Sequence, residues 1–89
     1  MKKGTIFKNL WAGHETYFCY QRQSKLNGLK TGYGYSLVNV NGEWRLDMSH
    51  YYKKDLENDR EHFPIVGHAD IDEVIKTAIL EGIANEEGT

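Results

Sequence analysis

Residues 33–49 read YGYSLVNVNGEWRLDMS, and the dipeptide Asn41-Gly42 in their middle decides the fold class. Asn-Gly between alternating apolar residues is the mark of a two-residue hairpin turn, because both central positions must take positive φ. A two-residue loop fixes the register, so 40 faces 43, 39 faces 44, 37 faces 46 and 35 faces 48. Opposed residues share a sheet face. One face therefore carries Tyr33, Tyr35, Leu37, Trp44, Leu46 and Met48, and is expected to be the core. The other carries Gly34, Ser36, Val38, Val40, Glu43, Arg45, Asp47 and Ser49, and is expected to be mostly wet.

Moving toward the amino terminus, Gln23–Gly32 is polar and punctuated by Ser24, Asn27, Gly28, Thr31 and Gly32, which predicts a mobile loop. Before it, Thr5–Trp11 and Thr16–Arg22 read as a second hairpin turning through Ala12-Gly13-His14-Glu15, with its register open. Both parities of that hairpin are apolar. Ile6, Leu10, Tyr17 and Cys19 fall on one, and Phe7, Trp11, Phe18 and Tyr20 on the other. This is more apolar surface than one sheet face can hide.

Toward the carboxyl terminus, His50–His62 is highly charged. Ser49 is placed to cap a short helix carrying Tyr52 and Leu56, with Phe63 beyond it; an irregular crossover fits the same residues. Pro64 ends any helix there, and Phe63–Val66 reads as a short edge strand. Asp70 is a good N-cap for a helix whose apolar stripe is Ile71, Val74, Ile75, Ala78 and Ile79, with Glu73 in the capping-box position. Leu80 and Ile83 fall on its polar side.

The architecture expected is α+β: an antiparallel sheet of about four strands in two hairpins, strand order open. The carboxy-terminal helix would pack across the Tyr35/Leu37/Trp44/Leu46 face. Residues 1–85 form one domain in this reading, and 86–89 a disordered acidic tail. Length agrees, since 89 residues at 10.3 kDa hold a single modest core. With 39% apolar and 27% charged residues the chain is globular in type, and 11 aromatic residues against one proline favour strands.

No apolar run approaches the roughly 20 residues of a membrane span. The start Met1-Lys2-Lys3 mimics a signal-peptide n-region, but Lys8 and Asn9 break the apolar stretch that would have to follow. A lone cysteine, Cys19, cannot form an internal disulfide, so a cytoplasmic location is expected. The net charge of −2 conceals a split: seven bases against two acids through Arg45, and four against eleven from Leu46 onward. The halves can attract one another, or the basic half can meet an anionic partner.

That second possibility has a candidate in Lys30-Thr31-Gly32-Tyr33-Gly34-Tyr35, which invites comparison with the aromatic RNA-binding strand of RRM and cold-shock domains. The basic residue stands one position early, no strand with the companion aromatic motif is evident, and a turn follows the first strand where an RRM has a helix. The chain is assigned to neither family. Lys25, Lys30, Tyr33 and Tyr35 still define an alternative reading, a weak single-stranded nucleic-acid binder that stacks bases on tyrosine and holds phosphate with lysine.

Catalytic and metal chemistry find less support. His14, His50, His62 and His68 are separated by 36, 12 and 6 positions, which matches no compact ligand pair, and no metal or other cofactor is expected. Cys19 lies mid-strand between Phe18 and Tyr20, where a small buried hydrophobe is the ordinary role. No P-loop, GxSxG or HExxH spacing occurs, so an enzyme is not expected.

What remains is the apolar surplus: Phe7, Trp11, Phe18 and Tyr20 on the first hairpin, with Leu80 and Ile83 on the far side of the helix. One outcome has His50–His62 fold back over that hairpin through Tyr51, Tyr52, Leu56 and Phe63. In the other, those six residues dock a protein partner or a second copy, with Trp11 the leading anchor. The expected function is a small non-catalytic cytosolic interaction protein, of a type that suits accessory, phage-encoded or inhibitory proteins.

Overall fold

The structure, a computed structural model, describes residues 1–69. The order of elements is β1 (Thr5–Lys8), β2 (Glu15–Leu26), β3 (Leu29–Val40), β4 (Glu43–Tyr52), α1 (Lys53–Asn58) and β5 (Ile65–His68). All five strands form one antiparallel sheet in the order β4-β3-β2-β1-β5. Four strands become five and the described residues hold one short helix, so the fold is closer to all-β than to the α+β class expected. The helix anticipated from Asp70 onward, the tail at 86–89, and Leu80 and Ile83 lie outside the described residues.

The hairpin around Asn41-Gly42 has the register its turn dictates, with Val40 opposite Glu43, Leu37 opposite Leu46 and Tyr35 opposite Met48. Both turn residues have positive φ, 55° and 85°. The expected loop at 23–32 is instead a second tight hairpin. Leu26 pairs with Leu29 across Asn27-Gly28, whose φ values of 52° and 78° repeat the same turn chemistry. The polar residues around it are strand residues whose backbone groups are satisfied by the partner strand.

Within β2 the register shifts between Tyr20 and Arg22: Tyr20 pairs with Gly34 and Arg22 with Tyr33, leaving Gln21 as an extra residue. This bulge reverses the alternation. Phe18 and Tyr20 lie on one face, whereas Arg22 beyond the bulge joins Tyr17 and Cys19 on the other. Gly34 permits the bulge, because a Cβ there would overlap the Cys19 carbonyl oxygen.

Among the described residues the core lies on the face expected to be wet. Phe7, Phe18 and Tyr20 form it together with Leu56 from α1 and Phe63, and Tyr51 packs against the cluster. The Tyr51 ring stands 4.6 Å from Phe18 and 5.6 Å from Phe63, edge-on to both. Small residues explain the inversion. Gly32, Gly34 and Ser36 are buried, and a Cβ at Gly32 would come within 2.7 Å of Leu56 Cδ1. A strip of β3 without bulk is the floor on which the α1 layer rests.

The charged segment after β4 therefore supplies the cover for the first hairpin. Ser49 belongs to β4 and does not cap α1, whose N-cap is Tyr52 without a side-chain hydrogen bond. From α1 the chain returns past Phe63 and Pro64 to β1, where Lys8 N–H donates to the Pro64 carbonyl and Leu10 N–H to that of His62. Asn9 fastens the junction by donating to the Tyr51 hydroxyl at 3.1 Å.

Candidate interaction surface

With the core on one side, the opposite sheet face stays open among the described residues. Register places Tyr17 and Cys19 of β2, Tyr33, Tyr35 and Leu37 of β3, and Trp44, Leu46 and Met48 of β4 on it. Trp44 is 46% exposed, Leu46 and Met48 38% each. The Tyr17 and Trp44 rings lie 6.2 Å apart, and the Lys8 ammonium stands 5.8 Å from the Tyr17 centroid. Tyr17 donates its hydroxyl to Glu15 Oε2 at 3.0 Å. That bond, aided by desolvation and the Glu15 charge, raises the phenol above its ordinary 10.0.

At the upper end of this face the polar groups are already engaged. The Arg22 guanidinium lies 4.5 Å from the Tyr33 centroid, and Tyr33 stacks on His50 with centroids 4.6 Å apart. His50 Nδ1 is 3.1 Å from the hydroxyl of Thr31, which is fully buried. The face is thus an apolar field of aromatic and aliphatic side chains, with few charges at its margins.

The residues anticipated as partner contacts are dispersed by the fold. Phe7 and Phe18 are completely enclosed and Tyr20 nearly so, which corrects the expectation that they stand uncovered on the first hairpin. The enclosure comes from Leu56, Phe63 and Tyr51. Tyr52 does not share in that cover; it is 38% exposed and pairs with Thr31. Trp11 alone of the four remains open, at 63% exposure, in the β1–β2 loop. Its ring lies 4.4 Å from His62 and edge-on to Phe63 at 5.8 Å.

The nucleic-acid set is divided as well. Tyr33 and Tyr35 lie on the open face, while Lys25 and Lys30 pair with each other on the opposite parity, near the tip of the β2–β3 hairpin. Lys30 borders an open hollow there with Lys53, Lys54 and Tyr52, on the α1 side of the sheet. Stacking rings and phosphate-binding ammonium groups therefore do not share one surface.

The histidines go to separate places. His50 meets Thr31 and Tyr33, His68 Nε2 lies 2.7 Å from the Lys3 carbonyl, and His62 pairs with Asp59. No group of three metal-ligating side chains occurs among the described residues. Asp59 accepts from the His62 backbone N–H at 3.1 Å and faces His62 Nδ1 at 2.9 Å. Desolvation pushes the Asp59 carboxyl up, but these hydrogen bonds and the imidazole charge outweigh it and hold the group below its ordinary 3.8. Cys19 is buried mid-strand, with Gln21 Nε2 3.6 Å from its sulfur.

Two features of the surface escaped the sequence reading, and each left a signal. Asn27-Gly28 carried the same turn signature as Asn41-Gly42. The run Gly32, Gly34, Ser36 marked the β3 face that can admit a covering layer, whereas bulky Tyr33, Tyr35 and Leu37 mark the other. Among the described residues no helix is long and apolar enough to cross a membrane. Comparison of the chain with protein-family models, with curated proteins and with solved structures finds no match.

Proposed function

We propose that this protein is a non-catalytic interaction module whose working surface is the open sheet face around Tyr35, Leu37, Trp44, Leu46 and Met48, and whose partner is another protein chain. One observation carries the reading: among the described residues Trp44, Leu46 and Met48 stand exposed beside half-buried Tyr35 and Leu37 on one face, while smaller residues floor the core on the other. Exposed apolar fields of this kind are uncommon on solitary soluble domains, and Trp and Tyr are frequent anchors of protein interfaces. A second copy of the chain is the first partner to measure. A cytoplasmic setting belongs to the same proposal and rests on the single buried cysteine.

Light scattering of the full chain over a concentration series tests the reading. Mass should rise above the 10.3 kDa of one chain, and Leu46→Lys should suppress the rise while leaving the circular dichroism spectrum unchanged. Association that survives both Leu46→Lys and Trp44→Ala would place the contact elsewhere and overturn the assignment. The nucleic-acid reading has lost its shared surface, and it predicts salt-sensitive affinity for single strands that Lys25→Ala and Lys30→Ala would weaken.

A further inference from the structure

The two edges of the sheet differ. β5 offers four residues, and its pairing with β1 is interrupted by a register shift between Ile6 and Phe7. β4 offers ten, Glu43–Tyr52, with β3 on one side and no strand on the other among the described residues. It holds no proline, lysine or glycine and pairs with β3 without a bulge, so the usual devices that keep an edge from pairing are missing. Turn geometry says which of its backbone groups are open. Val40 and Glu43 close the Asn41-Gly42 turn as a hydrogen-bonded pair, and the two kinds of pair alternate from there. Trp44, Leu46 and Met48 therefore point their N–H and C=O away from β3. Met48 agrees, since its N–H donates to Asp47 Oδ1 at 2.8 Å.

Charge then selects what can pair there. Arg45 and Asp47 share the other parity of β4 and face Val38 and Ser36 on β3, so neither has an opposite charge across that ladder. A second β4 laid antiparallel about a two-fold axis at Leu46 sets Leu46 against Leu46, Trp44 against Met48, and Arg45 against Asp47 twice. The outward groups of Trp44, Leu46 and Met48 then meet one another in hydrogen-bonded pairs, and Arg45 and Asp47 fall in the closer pairs between them. An axis at Arg45 would set Arg45 against itself and Asp47 against Glu43, and an axis at Asp47 would set that carboxylate against its copy. Of these three registers only the one at Leu46 pairs opposite charges. α1 begins at Lys53, past the residues so paired.

We propose that two copies of this chain join β4 to β4, antiparallel about Leu46, so that their two five-stranded sheets become one continuous sheet. The open face then continues across the seam, with Trp44 of one copy beside Met48 of the other. Naming a second copy as the partner rests on the function proposed above; the strand pairing rests on the β4 edge alone.

Opposite substitutions test the register. Arg45→Asp and Asp47→Arg each set like charges together at two places, and light scattering should show association weakened about tenfold or more in either variant alone. Mixed in equal amounts, the two variants regain both opposite-charge pairs and should reach the two-chain mass of the unsubstituted protein. That pattern upholds the edge pairing whether or not the open face binds a further chain. A mixture no heavier than its parts overturns the proposal, as does an unsubstituted chain that keeps the mass of one chain at every concentration. Association undiminished in both variants overturns the edge pairing and leaves the open face as the contact. Circular dichroism checks that each variant folds, and amide exchange in the unsubstituted chain needs no variant. The outward N–H of Leu46 should exchange more slowly as concentration rises, and a rate independent of concentration overturns the pairing.

Discussion

Phe18 and Trp44 are both aromatic strand residues, and the fold gives them opposite weight. Phe18 is fully enclosed, with Phe7 and Tyr51 rings 6.4 Å and 4.6 Å away, so Phe18→Ala opens a cavity as well as losing burial. Urea unfolding should register a loss of about 3–5 kcal/mol, enough to unfold much of a domain this small. Trp44→Ala should cost about 0.5 kcal/mol, since nearly half of that side chain already meets solvent. Similar losses at the two sites would mean that the core had been placed on the wrong face. Asp59 gives the residue scale a pH signature. Its carboxyl titrates below 3.8 when folded, so its stabilising contribution is complete above 3.8 and is lost as pH falls through the depressed value. Unfolding midpoints should thus drop more steeply in acid for the native chain than for Asp59→Asn, and parallel curves would contradict the His62 pairing.

At the level of elements, the two Asn-Gly turns set the length of the sheet. Gly28 sits at φ 78° with nothing near the position of a Cβ, so Gly28→Ala tests conformation alone. About 1–2 kcal/mol of destabilisation is expected from forcing an L side chain into the left-handed region. A neutral result would show that the β2–β3 tip is not the tight turn described. Register around Asn41-Gly42 was legible from the sequence because turn geometry there is purely local. The bulge at Gln21 was not, since it depends on the close approach of β3 at Gly34 to the Cys19 carbonyl. Local propensity carries no term for a neighbouring strand. The short helix and the β5 edge strand were visible in outline, from Leu56 and from Pro64, but the sequence left open whether that segment covered the first hairpin.

At the scale of the molecule, the sheet separates a closed layer from one left open among the described residues, and Cys19 reports on the integrity of that division. Its thiol is buried on β2, the middle strand of the five, so it should react with a thiol reagent only through global opening. Reaction rates should rise with urea in step with unfolding of Phe18, whereas rapid labelling of the native chain would show that the sheet opens locally. The candidate surface was legible as a list of side chains, since Tyr35, Leu37, Trp44, Leu46 and Met48 share a face by register alone. The helix expected to cover it lies outside the described residues, and what the described chain does cover is the opposite face. Alternation reveals which residues stand together, but not which of two apolar faces the rest of the chain will cover.

By itself the sequence determined that the backbone is an antiparallel sheet, the central hairpin and its register, and the presence of more apolar surface than one face can absorb. These follow from turn chemistry and two-residue periodicity, which act over a few neighbours. Only the tertiary structure decided where that surplus lies. Leu56, in one cluster with Phe63, settles over Gly32, where the missing side chain leaves room, and not over Tyr33 and Tyr35, where bulk fills it. That choice depends on the space left between distant segments, a quantity that exists only once the strands have met.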